Sequence, residues 1–187
     1  RNQSILYNSK KGQTYTKRYL TPFGEYLPMR SIAEKVSRYS NQIIDFKAGD
    51  ENVVFDVNKI RFNTLICYEL IDDSFVPEAI NDFLVVQTNN ATFGDTNQLD
   101  QQINIARVRA LESGRGIAYV STTGTTAFIT SNGKIDSSLE KFKPATLKDQ
   151  IIISRGHTYR QSFGHLIEPF AMIVFVGLLL LRVRGRS

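Results

Sequence analysis

The stretch Arg61-Phe62-Asn63-Thr64-Leu65-Ile66-Cys67-Tyr68-Glu69 sets the frame for the chain around it. From Arg61 to Ile66 polar and apolar residues alternate, so Phe62, Thr64 and Ile66 share one face of a strand. The strand delivers Cys67, the single cysteine among 187 residues, to its carboxyl end, and Tyr68 and Glu69 follow at once. A strand end suits a nucleophile, because the rigid sheet holds the sulfur while loops bring a substrate to it. A lone cysteine also reads as a small buried hydrophobe, and this strand by itself leaves both readings open.

Outward from that strand the pattern continues. Upstream, Val53-Val54-Phe55-Asp56-Val57 and Ile60 to Ile66 read as a hairpin leading to Cys67. Downstream, Ile71 to Asn81 is a link or short helix with Pro77 near its middle. Phe83-Leu84-Val85-Val86-Gln87 is a continuous apolar run, which predicts a strand buried on both faces. It ends in the polar loop Thr88-Asn89-Asn90-Ala91-Thr92-Phe93-Gly94. Thr96 to Ser113 predicts a helix: Leu99, Ile103, Ala106 and Ala110 recur at helical spacing with Leu111 beside them, and Gly114 and Gly116 close it. Strands are expected at Ile117 to Ser121 and Thr125 to Thr130, then a turn at Asn132-Gly133 into Lys134-Ile135, then a last strand at Ile151-Ile152-Ile153.

Toward the start, Ser4 to Tyr7 and Thr14 to Lys17 predict two strands around the turn Ser9 to Gln13. Tyr15 to Pro28 is aromatic-rich, and two prolines and a glycine make much of it a loop. Ser31 to Tyr39 predicts a short helix with Ser31 as its N-cap, and Gly49-Asp50 a turn. Strands with helices between them and no internal repeat make a mixed α/β sandwich.

The end of the chain differs in character. Pro169 to Leu181 is apolar and free of charge, but its thirteen residues are too few to cross a bilayer, which takes about 20. Starting at Phe163 gives 19 residues and places His165 and Glu168 at headgroup depth. A buried C-terminal helix is the alternative, but a core helix rarely lacks a polar face. The reading is therefore a body over 1–160 and a membrane helix with a basic tail over 161–187. Arg182, Arg184 and Arg186 then lie on the cytoplasmic side and the body on the other.

Composition bounds the rest. An apolar share of 42% with five prolines fits a globular body with a real core. One cysteine excludes an internal disulfide and a zinc cage of several cysteines, and nothing calls for a metal or cofactor. The net charge of +5 is concentrated at the tail: without the three terminal arginines, 20 basic groups face 18 acidic ones, and no nucleic-acid surface is expected. The chain opens on Arg1 in mid-pattern, with no apolar leader, and reads as the back portion of a longer protein.

A cysteine nucleophile needs a base, an oxyanion donor and a shaped acyl site. His157 and His165 come late, beside the apolar segment, so a lysine and a carboxylate are the stronger candidates. Tyr15-Thr16-Lys17 followed by Leu20-Thr21-Pro22-Phe23-Gly24-Glu25-Tyr26 closely resembles the lysine motif of the apolipoprotein N-acyltransferase family, a membrane-bound branch of the nitrilase (carbon–nitrogen hydrolase) superfamily. Ile66-Cys67-Tyr68-Glu69 resembles its nucleophile motif, and Thr88 to Gly94 its next loop. Gln101-Gln102 through Ala106 to Arg115 resembles the helix that follows, and Ser121-Thr122-Thr123-Gly124 and the terminal apolar segment also fit. Soluble nitrilases share the lysine and cysteine but not Pro22 to Tyr26 or the anchor.

The resemblance implies a partial αββα sandwich followed by one transmembrane helix, in the inner membrane of a bacterium with the catalytic part on the periplasmic side. It implies a Glu-Lys-Cys triad in which Cys67 is the nucleophile, Lys17 the family lysine and Glu25 a further catalytic carboxylate. Tyr68, Glu69, Asn89, Asn90 and Phe93 are expected at the substrate. The family's general-base glutamate lies many tens of residues before the lysine, whereas 16 residues precede Lys17, so that glutamate does not map here. The implied partners are a phospholipid acyl donor and the diacylglyceryl cysteine of an apolipoprotein, with a membrane and without nucleic acid. A membrane-tethered amidase and a non-catalytic anchored module are the other readings. Leu27, Pro28 and Met29 are expected to form a lip that dips into lipid.

Overall fold

The computed structural model describes residues 1–7, 12–30 and 45–184. The helix expected over Ser31 to Tyr39 and most of the turn at Ser9 to Gln13 lie outside the described residues. Strands β1 (Gln3–Leu6) and β2 (Gln13–Thr16) pair antiparallel. Strands β3 (Val54–Val57), β4 (Ile60–Ile66), β5 (Phe83–Thr88), β6 (Ile117–Ser121), β7 (Ala127–Ile129) and β8 (Ile135–Ser138) form a second sheet in sequence order. Its central strands β4, β5 and β6 are parallel, and the outer pairs are antiparallel. Cys67, the Asn89-Asn90 loop and the Ser121 to Gly124 loop therefore all leave from the carboxyl ends of the three parallel strands. That is the end at which open α/β sheets place their ligands.

Registers sort the side chains into two faces. Phe62 opposes Phe83, Val85 opposes Ala118, and Leu65, Val86 and Tyr119 run in line on the other side. On that other side Leu65, Leu84, Val86, Ile117, Tyr119, Ala127 and Ile129 meet Ile103, Ala106 and Ala110 of helix α1 (Gln98–Ser113), with Phe75, Val76 and Ala79 closing the core. Each such large aliphatic is stabilised by about 1.5–3 kcal/mol on leaving water, which makes this layer the main source of stability. The opposite face meets β1 and β2 through a second cluster of Tyr15, Phe55 and Ile66, with Leu6, Val53 and Phe62 against it. Phe55, Phe62 and Phe83 stack in a row along it.

Several expectations are corrected. β5 is buried on one face only: Leu84, Val86 and Thr88 are inside, whereas Gln87 is exposed and Phe83 and Val85 are half-buried, because β1–β2 covers only part of that side. Leu111 points to solvent, while Arg109 takes the inward position. Ile151 to Ile153 forms no strand, since β8 ends the sheet and offers that segment no partner; Ile151 instead packs on Gly116. Of the two readings of Ile71 to Asn81 the link holds: after Cys67 the chain makes two tight 3-10 turns, Cys67–Ile71 and Asp73–Phe75. Leu27 is buried and Pro28 half-buried, so Met29, at 73% exposure, is the exposed residue of the expected lip; Phe23, at 66%, is exposed as well.

Helix α1 ends where Gly114 adopts the left-handed conformation, with its N–H given to Leu111 O and that of Arg115 to Ala110 O. Helix α2 (Tyr159–Arg184) is long and apolar enough to cross a membrane. Its first turn carries a capping box: Thr158 N–H donates to Gln161 Oε1, and Gln161 N–H to Thr158 Oγ1. The Gln161 amide also donates to the carbonyls of Val76 and Ala79, and Arg160 pairs with Asp73 at 2.9 Å. From Pro169 to Leu181 the helix presents exposed apolar side chains, a surface that water disfavours and lipid does not.

Candidate active site

Cys67 sits directly after β4 with φ of 53°, left-handed for a residue that carries a Cβ. Such backbone is sparsely populated and persists only where the surroundings fix it. Here Glu69 does the fixing. It is 1% exposed, and its Oε2 accepts from Ile66 N–H at 2.7 Å, closing the turn around the cysteine. Its Oε1 accepts from the Tyr15 hydroxyl at 2.6 Å and from the backbone N–H groups of Arg18 at 2.7 Å and Tyr19 at 3.2 Å. One carboxylate thereby ties the cysteine elbow to the segment just past Lys17. Burial pushes the Tyr15 hydroxyl well above its ordinary range, and the Glu69 charge adds to this, so Tyr15 stays a donor.

Lys17 follows β2 and is 1% exposed. Its backbone is held by Asn2 O and Gly49 N–H. Its Nζ donates to Glu25 Oε2 at 2.5 Å and to Thr21 Oγ1 at 3.1 Å. Glu25 further accepts from Thr21 N–H at 2.8 Å and from the Asn2 amide at 3.1 Å. Burial alone would push the Glu25 carboxyl up, but the bonds from Lys17, Thr21 and Asn2 outweigh it and hold the group below the usual carboxylate range. The loop reaches this geometry through a tight turn in which Phe23 takes φ of 60° and Pro22 bridges to Tyr26.

Of the residues expected at the substrate, Tyr68 is half-buried, and Asn89 and Phe93 are exposed at the strand ends. Glu69 and Asn90 face inward instead: both Glu69 oxygens and Asn90 Oδ1 accept hydrogen bonds from the fold, while Asn90 Nδ2 is buried without a partner among the described residues. Asn90 Oδ1 accepts from the Thr88 hydroxyl at 2.5 Å, and its N–H donates to Thr122 Oγ1 at 3.0 Å. Beside it lies Tyr119, whose hydroxyl is pushed far up by burial, with the Asn90 amide opposing that shift and Cys67 reinforcing it. Arg109 and Arg115 are buried rather than solvated. Arg109 grips the carbonyls of Leu70 and Ile71, and Arg115 those of Ile80, Asn81 and Gly156, so both brace the chain behind the cysteine. Sequence reasoning gave no role to Gln102, which the structure sets on the cysteine sulfur, nor to Thr88. The signal was faint: a polar residue one step from Ile103 on the buried side of α1. Among the described residues no group of acids, histidines or cysteine is arranged to hold a metal.

The chain thus places a strained cysteine directly after the first of three parallel strands and ties it, through Glu69, to the segment just past a buried lysine, and this outlines a class. The fold is that of the carbon–nitrogen hydrolase superfamily: the chain superposes on such a protein from Xanthomonas campestris with a TM-score of 0.51 at 17% identity, over 85% of this chain and 57% of that one. A glutamine-dependent NAD+ synthetase from Acinetobacter baumannii aligns with a TM-score of 0.55 at 15% identity, over 76% and 29%. Within that class the sequence is related to the apolipoprotein N-acyltransferases. It is 34% identical to that of Haemophilus ducreyi over 88% of this chain, and 34% identical to that of Wigglesworthia glossinidia brevipalpis over 94%. The chain spans about a third of the length of these relatives, 34% and 36%. No family model matches it.

Proposed function

We propose that this chain carries the nucleophile and the oxyanion-binding part of an N-acyltransferase. It would move an acyl chain from a phospholipid, through a thioester on Cys67, to the α-amine of the diacylglyceryl cysteine of an apolipoprotein. The observation that carries the reading is the Glu69 tie, which joins the strained cysteine elbow to the loop of a buried lysine.

A carboxylate base from outside the matched segment takes the Cys67 proton. The thiolate attacks the ester carbonyl carbon, a C–S bond forms, the C–O bond breaks, and the base returns the proton to the departing lysophospholipid. The acceptor amine then attacks the thioester: a C–N bond forms, the C–S bond breaks, and the amine's proton goes to the base. In both steps negative charge gathers on the carbonyl oxygen. Glu25 and Thr21 accept hydrogen bonds from two of the three Lys17 ammonium N–H groups, which leaves the third for that oxygen, with the Tyr68 N–H as second donor. A fixed cation in a dry site stabilises such charge far more than in water. Tyr68, Asn89 and Phe93 keep exposed surface and are assigned to substrate contact. Glu69 and Asn90 are assigned to positioning, and helix α2 to the cytoplasmic membrane with the body on its outer side.

The test is to incubate the full-length parent protein with phospholipid and seek an acyl adduct on Cys67 by mass spectrometry, then to add a diacylglyceryl peptide. An adduct followed by an N-acylated peptide supports the transferase. Release of free fatty acid alone points to a hydrolase, and absence of any adduct points to a non-catalytic module.

A further inference from the structure

The thiol of Cys67 has a side-chain neighbour that the mechanism above does not use. Gln102, in the second turn of α1, points its amide nitrogen at Sγ from 3.6 Å and at the Thr88 hydroxyl oxygen from 3.0 Å. The orientation of that amide agrees with the hydrogen bond that Thr88 makes to Asn90. A threonine hydroxyl has a single proton, and Thr88 gives its own to Asn90 Oδ1. Thr88 can therefore only accept from Gln102, which turns the nitrogen toward both Thr88 and the sulfur. The opposite atom, Gln102 Oε1, is buried with no partner among the described residues. Among the described residues that carbonyl and the Asn90 amide nitrogen are both left unpaired at this site, and an unpaired buried polar group costs about 1–3 kcal/mol.

We infer that Gln102 is a further catalytic residue, donating an N–H hydrogen bond that stabilises the Cys67 thiolate, and that Thr88 and Asn90 are the positioning residues that aim it. The inference rests on Cys67 being the nucleophile. A thiol is a poor acceptor and a thiolate a good one, so the bond is stronger in the charged state and favours loss of the proton. It also persists when the thiolate departs from the thioester, which eases the second transfer. The helix supplies rigidity: Ile103 and Ala106, next to Gln102 and one turn beyond it, are buried against the sheet that carries Cys67. The donor thus keeps its distance while loops around it move.

The test is the pH profile of Cys67 alkylation by iodoacetamide in the intact membrane-embedded protein, read by mass spectrometry on the Cys67 peptide. Gln102→Leu removes the donor. Gln102→Glu keeps the size of the side chain and removes the N–H, which guards against a packing effect, and thermal melts check that both variants fold. The expected result is a profile displaced to alkaline pH by about one unit in Gln102→Leu and at least as far in Gln102→Glu. That displacement appears as a roughly tenfold slower reaction at neutral pH and a normal rate at the alkaline limit. Thr88→Val should give a smaller displacement in the same direction, and Gln101→Leu, on the exposed side of the helix, none. Coinciding profiles for wild type and both Gln102 variants overturn the inference, even where the wild type accepts an acyl group from phospholipid. Displaced profiles in a protein that accepts no acyl group would sustain the contact and overturn the acyltransferase reading instead.

Discussion

Glu69 accepts four hydrogen bonds, three on Oε1 from the Tyr15 to Tyr19 segment and one on Oε2 from Ile66. In Glu69→Gln one end of the group becomes a donor that must face either Ile66 N–H or the cluster of Tyr15, Arg18 and Tyr19. Donor against donor leaves a buried group unpaired, and the expected loss is about 1–3 kcal/mol of stability in a denaturant titration, with activity falling more than Tyr68→Phe would cause. Glu25 gives a prediction with a sign in pH. Its folded carboxyl titrates below the usual range, so its contribution is full above the ordinary glutamate value and disappears as pH falls through the lowered one. Wild type should therefore be more stable than Glu25→Gln at pH 7, and the gap in urea midpoint should close on acidification toward pH 3. A gap that stays constant would mean that the Lys17 pairing contributes nothing to folding.

Elements meet here through glycines and polar braces rather than through apolar area alone. Gly114 ends α1 with φ of +63°, and a Cβ there would stand 2.8 Å from Thr158, the cap of α2. Gly114→Ala should thus strain the end of one helix and push on the start of the other. About 1–2 kcal/mol of destabilisation is expected by thermal unfolding, above the usual cost of losing a left-handed glycine alone. The base of α2 is joined to the turns behind Cys67 by Gln161, whose amide serves two buried carbonyls. Gln161→Leu leaves both unpaired, and faster protease cleavage between Gly156 and Tyr159 is the expected readout. These braces are partly legible in sequence, since Thr158 and Gln161 have capping-box spacing. What they brace against is not legible, because Val76 and Ala79 lie some eighty residues away in the chain.

At the scale of the whole molecule, a bare apolar helix is fixed to a folded body through one polar joint, so the height of Cys67 above a bilayer is set by that joint. With α2 across the cytoplasmic membrane, externally added protease in spheroplasts should degrade the body while a tag after Ser187 stays protected; a digested tag would reverse the orientation. The chain's periodicities, namely the alternation before Cys67, the helical spacing from Leu99 to Ala110 and the charge-free run after Pro169, determined the order of strands, the main helix and the apolar segment. These signals are local, and local backbone preference together with side-chain alternation suffices to express them. The motifs around Lys17 and Cys67 likewise pointed to the candidate site. Only tertiary structure decided which faces are covered, that Glu69 and Asn90 turn inward, that Arg109 and Arg115 are internal braces, and that Gln102 reaches the sulfur. Each of those depends on which distant segment arrives to accept or donate a hydrogen bond, and pairing across long loops leaves no periodic trace in the order of residues.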